Sequence, residues 1–223
     1  EMGRFIKPIL SVPPPDPGKL NPMEWLPLTG LATKYPTCTF AVVEGTVELI
    51  LDSLATYGLS PDEGEIADGK DVGDYGPYRQ SLRVPIYQSC VRWLLEQGHA
   101  YPCFASAEEL QALREEQTKH KVPPGYWGTW AIWRDKTAQE VDAALAAGKP
   151  FVIRLRSTGG REERVTLPDT IRGSLEFPAN QTDVVLLKAD GVPTYHLAHV
   201  VDDHFMRTTD VIRGNEWLAS YPM

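Results

Sequence analysis

At 223 residues the chain is long enough for one sizeable core or two small domains, and its hydrophobic (42 %) and charged (23 %) fractions are those of an ordinary globular protein. A net charge of −8 gives no global attraction to nucleic acid, so any RNA would have to meet a local basic patch. No apolar run approaches the roughly 18–20 residues that span a bilayer, no secretory leader opens the chain, and three widely spaced cysteines (Cys38, Cys90, Cys103) fit a reduced cytoplasmic setting better than a disulfide framework.

Residues 1–43 stand apart. "SVPPPDPGKLNP", from Ser11 to Pro22, holds five prolines and one glycine, which excludes a helix interior or a central strand and predicts an extended arm. "TCTFAVVEG" (Thr37–Gly45) predicts a short buried strand. Order is expected from Glu44. Val47, Ile50, Leu51 and Leu54 share one helical face, and Gly58 suits the helix end. A polar, turn-rich stretch runs to Gly73, then "GPYRQS" (Gly76–Ser81) leads into a helix from about Ser81 to Gln97, with Pro85 in its first turn and Gly98 as its stop. "SAEE" at Ser106–Glu109 has the spacing of a capping box, and Thr137 and Gly148 bracket a further helix. "FVIRLRS", "ERVTLPD", "RGSLEFP" and "DVVLLKADG" predict strands. A helix over Tyr195–Phe205 follows, then a short strand, "TDVIRG", and a last helix start, "NEWLAS".

Two stretches carry more chemistry than a core needs. On a helix Tyr195 and His199 lie four apart and share a face. Arg213, Glu216 and Trp217 follow closely. They read either as two core aromatics and a surface ion pair or as the lining of a binding pocket. His196, His199, Asp203 and His204 lack the His-Glu-x-x-His arrangement of a metal helix, so no metal is expected there. Asp202 and Asp203 are expected to brace the helix–strand junction through backbone hydrogen bonds. "GPYRQS", with Tyr78 and Arg79, is either a loop-to-helix entry or the edge of a site.

Taken in order, "GPYRQSLRVPIYQ", "AYPCF", "EELQALREEQ", "KPFVIRLRS", "IRGSLEFP", "DVVLLKADGVPTYHLAHVVDDHFMRTTDVIRG" and "EWLAS" resemble the glutamyl-tRNA synthetases, class I aminoacyl-tRNA synthetases, from about Glu44 onward. The resemblance implies an α/β fold: a Rossmann-like catalytic domain in two parts (44–100 and 183–223), split by an α/β insertion (101–182) that meets the tRNA acceptor end. It implies glutamate–tRNA ligation through a glutamyl adenylate, with L-glutamate, ATP and tRNA as partners and Mg²⁺ accompanying ATP, in a monomeric cytoplasmic enzyme with no membrane association. By the same resemblance Tyr195, His199 and Arg213 bind substrate glutamate, Glu216 and Trp217 approach the adenosine, and Tyr78 and Arg79 order a loop near the tRNA end. No residue is assigned as catalytic.

The chain departs from the family in three places. Where some members hold zinc through a Cys-x-Cys pair and a later cysteine, Cys103 stands alone, with Ala105 at the pair's second position and Trp133 at the later one, so no structural zinc is expected. No histidine precedes His99 and no lysine follows Lys188, so both ATP-contacting signatures of class I synthetases are missing. The acidic segment that normally precedes "EG" is replaced by "TCTFAVV". The expectation is an incomplete or inactive piece of a glutamate–tRNA ligase. The alternatives are a glutamyl-queuosine tRNA-modifying paralogue and a non-catalytic glutamate- or RNA-binding remnant.

Overall fold

The computed structural model describes residues 47–223 apart from 60, 68 and 213. The Pro-rich arm, the Thr37–Gly45 strand and Arg213 therefore lie outside the described residues. The described chain forms two compact units: one of residues 47–90 with Val192–Ile212, the other of Val91–Gly191 with 214–223.

In the first unit α1 (Val47–Thr56) is the amphipathic helix that its apolar spacing predicts. The stretch up to Gly73, read as turns, instead contains an antiparallel hairpin, β1 (Gly64–Ala67) and β2 (Lys70–Val72), in the register Gly64↔Val72 and Glu65↔Asp71. Strands this short and polar leave no apolar run to read. The helix expected at Ser81 begins as a 3-10 turn (Gln80–Arg83) and continues as α2 (Val84–Glu96), with Pro85 in the first α-helical turn, where a missing N–H costs nothing. "TDVIRG" forms no strand among the described residues. Val211 and Ile212, the residues that suggested one, are 49 % and 83 % exposed, so pairing there would bury little.

The second unit holds a three-stranded antiparallel sheet ordered β3-β4-β7: Ala100–Cys103, Val152–Leu155 and Val185–Leu187. Tyr101 pairs with Arg154 and Ile153 with Leu187. Strand β3 escapes a sequence reading because Pro102 interrupts it; as the edge strand it tolerates the lost donor. Helices α3 (Ala107–Lys119) and α4 (Ala138–Ala146) both open on capping boxes, Ser106 with Glu109 and Thr137 with Glu140. Each box satisfies two N–H groups that the helix leaves orphaned. Lys136 and the Thr137 backbone and hydroxyl hold the Glu140 carboxyl down to about 2. Gly98 and Gly148 end α2 and α4 with φ of 74° and 65°, a left-handed turn that side chains resist.

Phe104 packs on Trp133 and Phe151 at 4.9 and 5.1 Å between ring centroids. A second cluster joins Tyr101, Cys103, Tyr126 and Ala131 to Leu110, Leu113 and Val152. Strands β5 (Arg164–Asp169) and β6 (Gly173–Pro178) form a separate hairpin. The Asp169 carboxylate caps its turn by accepting from the N–H groups of Ile171 and Arg172. The chain then ends in a 3-10 helix, Asn215–Ser220, beyond which the Tyr221 ring meets Phe177 edge-on at 6.2 Å.

Candidate functional site

Helix α5 (Tyr195–Phe205) opens at Thr194, whose extended backbone (φ −81°, ψ 166°) turns the chain into the helix. Leu197, Ala198 and Val201 form its buried face. The row that follows the helical repeat on another face is Tyr195, His199, Asp203. The Tyr195 and His199 rings stack at 4.8 Å with 38° between planes, and His199 Nδ1 lies 3.4 Å from Asp203 Oδ2. The pocket candidates Tyr195 and His199 are thus brought together. His196 stands beside them, its ring 6.1 Å from Tyr195 and edge-on. Burial, then the neighbouring His199, lowers the His196 pKa from its usual value, and its Nδ1 is buried with no hydrogen-bond partner among the described residues.

Asp202 does something different from what its neighbour suggests. It does not brace a junction through backbone groups; its carboxylate is 1 % exposed and accepts from Arg83 Nε and from the Tyr87 hydroxyl, each at 2.7 Å. Consecutive helical residues point about 100° apart, so one aspartate faces inward and the other joins the outer row. Burial pushes the Asp202 carboxyl up, opposed by Tyr87 and Arg83. Tyr87 is held far above the ordinary phenol range by burial and by Asp202, and burial lifts the Cys90 thiol to about 11.

Arg83 carries this network to the loop before α2. Its Nη1 donates to the carbonyls of Tyr75 (3.2 Å) and Pro77 (3.0 Å). The adjacent Tyr78 hydroxyl donates to the Glu63 carboxylate and accepts from the Tyr75 N–H at 3.0 Å. Arg79 forks onto Glu65, with Nε at 3.1 Å and a second bond through Nη2. Arg79 is therefore fastened to β1 of the hairpin, and Tyr78 to Glu63 just before it. Sequence reading missed Arg83, Tyr87, Glu63 and Glu65. A signal exists for the first two: Arg83, Tyr87 and Val91 recur every fourth residue and are 2 %, 0 % and 0 % exposed, which places a charge on an apolar row.

In the other unit Glu216 and Trp217 sit on the closing 3-10 helix, where Trp217 is 39 % exposed. A further carboxylate that sequence reading passed over is Asp183, 0 % exposed. It accepts from the Tyr101 hydroxyl (2.6 Å), Arg134 Nη1 (2.6 Å) and the Ser157 N–H (2.9 Å), while Arg154 donates to its carbonyl at 2.8 Å. Around Cys103 the surroundings do not suit zinc. The thiol is buried and donates to the Tyr126 hydroxyl at 3.3 Å, with Ala105, Leu110 and Trp133 packed alongside. Among the described residues no three His, Cys, Asp or Glu converge. One thiolate cannot hold a four-coordinate ion.

Residues 38–223 match the family described as tRNA synthetases class I (E and Q), catalytic domain. The glutamate–tRNA ligase of Acetivibrio thermocellus is 50 % identical over 181 residues, 81 % of this chain and 33 % of the relative. That of Sorangium cellulosum is 47 % identical over 193 residues, 81 % of this chain and 34 % of the relative. A crystal structure of a glutamate tRNA ligase from Elizabethkingia meningosepticum, in complex with its amino acid, superposes with a TM-score of 0.70 at 37 % identity, over 81 % of this chain and 36 % of that one. The chain thus spans about a third of the length of the curated relatives it matches. With most of its length inside the family match and that likeness of fold, the chain belongs to the class I tRNA synthetases (E and Q), as a member of their catalytic-domain family.

Proposed function

We propose that this chain provides the glutamate-recognising part of a glutamate–tRNA ligase. In that reaction a glutamate carboxylate oxygen attacks the α-phosphate of ATP, pyrophosphate leaves, and the glutamyl group passes from the adenylate to the tRNA 3′ end. The observation that carries the reading is the Tyr195–His199 pair, stacked on one face of a helix whose buried face is anchored by Asp202. The names of the relatives support glutamate as the amino acid. Tyr195 donates a hydrogen bond to glutamate and His199 lines the pocket. Arg213 supplies a planar fork for a carboxylate, and Glu216 and Trp217 face the adenosine. Positioning supplies most of the catalysis, with Mg²⁺ offsetting phosphate charge. Residues 101–182 form an insertion toward the tRNA acceptor end, between catalytic parts at 44–100 and 183–223. Tyr78 and Arg79 order the loop at the edge of the site. The protein works as a cytoplasmic monomer. No helix among the described residues is long and apolar enough to cross a membrane.

Ligand-observed NMR tests this reading. A polypeptide of these 223 residues is expected to bind glutamate and to bind glutamine more weakly, because an amide cannot complete a charge-assisted pair with Arg213. Equal binding of the two would overturn it. The same polypeptide is expected to show no glutamate-dependent ATP–pyrophosphate exchange, since it has no histidine before His99 and no lysine after Lys188 to contact the phosphates. Robust exchange would contradict that expectation.

Zinc should neither bind stoichiometrically nor raise the melting temperature, given the apolar packing around Cys103. One tightly held zinc per chain by elemental analysis would refute this.

A further inference from the structure

The outer row of α5 contains a residue that the pocket reading does not use. Asp203 is 25 % exposed and His199 20 %, and their side chains meet at 3.4 Å through Nδ1 of the imidazole. An ionised carboxylate can only accept, so the nitrogen facing it must be the one that carries hydrogen. The hydrogen bond made by one ring nitrogen sets the state of the other. In a neutral imidazole the second nitrogen, Nε2, is then a bare acceptor, and covalent geometry makes it the nitrogen farther from the backbone. Tyr195 stacks on the same ring at 4.8 Å and restricts its rotation. Ionisable groups beside the ring include Asp203, Tyr195 and His196, all on α5.

We propose that Asp203 is a positioning residue that fixes His199 with hydrogen on Nδ1, so that Nε2 accepts a hydrogen bond from the α-ammonium group of the amino-acid substrate. This rests on the reading of Tyr195 and His199 as pocket residues and divides the work within it. Arg213 donates to a carboxylate, and the Nε2 lone pair of His199 accepts from the ammonium, which has hydrogens to donate and no lone pair of its own. The adjacent Asp202 takes no part, being committed to Arg83 and Tyr87.

The test uses the full chain labelled with ¹⁵N. Long-range proton–nitrogen NMR distinguishes the two neutral tautomers, and a His199→Gln variant assigns the His199 signals among the five histidines. In water the Nε2–H form of imidazole predominates, so the expected result is distinctive: His199 is in the Nδ1–H form in the parent and reverts to Nε2–H in Asp203→Ala. Finding Nε2–H in the parent, or no change in Asp203→Ala, would overturn the proposal. Asp203→Glu, which keeps a carboxylate near the ring, is expected to restore part of the Nδ1–H signal. Should Asp203→Ala fail to fold, the parent carries the test by itself: Nε2–H at His199 there overturns the proposal.

Ligand binding supplies the second arm. Asp203→Ala is expected to weaken glutamate binding about two- to tenfold, the worth of one hydrogen bond, and to leave glutarate, which lacks the ammonium, unaffected. An equal loss for both ligands would refute the ammonium assignment. Glutamate that leaves the His199 signals unmoved, in a parent showing the Nδ1–H form, would refute the pocket reading while leaving the Asp203 tie established.

Discussion

Asp202→Ala is expected to destabilise the chain by about 3–5 kcal/mol, because it strands a buried charge. Arg83 is 2 % exposed, so its guanidinium cannot turn to water when its partner goes. The carbonyls of Tyr75 and Pro77 would still accept from it, but neither carries charge. Tyr87, 0 % exposed, would lose the acceptor for its hydroxyl at the same time. Urea unfolding followed by circular dichroism measures the effect as a fall in the midpoint. Replacing both partners, as Arg83→Met with Asp202→Leu, is expected to cost clearly less than the sum of the single changes, since no orphaned charge remains. A loss below about 1 kcal/mol for Asp202→Ala would match an exposed ion pair and contradict the buried one.

Asp183→Ala is expected to have a similar effect, about 3–5 kcal/mol, in the other unit. Three donors converge on that carboxylate from separate segments: the Tyr101 hydroxyl on β3, Arg134 before α4 and the Ser157 N–H after β4. Removing it leaves two buried donors unsatisfied and one guanidinium unpaired. Arg134 is 20 % exposed and can recover some hydration, which sets the loss toward the lower end of that range. Asp183→Asn should cost less than alanine, since its one oxygen still accepts while its amide group faces donors. If Asn proved as harmful as Ala, charge would matter more at this site than the count of acceptors.

The features that could be read in the sequence were those with local causes. The capping box at Ser106–Glu109 forms as its spacing predicts, Thr137 caps the helix it was expected to open, and Gly98 and Gly148 end theirs. The shared face of Tyr195 and His199 follows from helical geometry alone. What escaped depended on partners far along the chain. Asp202 looks like a junction residue until Arg83, 119 positions earlier, is brought against it. Asp183 looks like the first residue of a strand until three segments close around it. Strand β3 was hidden by Pro102, and "TDVIRG" suggested a strand by composition although its apolar residues remain exposed. The assignment of function came from the ordered set of family-like segments. No single spacing in the chain specifies glutamate.

Isothermal titration with glutamate across three proteins tests the glutamate pocket most directly. The parent should bind, Arg213→Ala should bind about ten- to a hundredfold more weakly, and Tyr195→Phe should lose less, about two- to tenfold. Arg213→Lys should recover only part of the loss, because an ammonium cannot form the planar fork. Glutamate affinity unchanged in Arg213→Ala, or a larger loss in Tyr195→Phe than in Arg213→Ala, would contradict the pocket proposed for this chain.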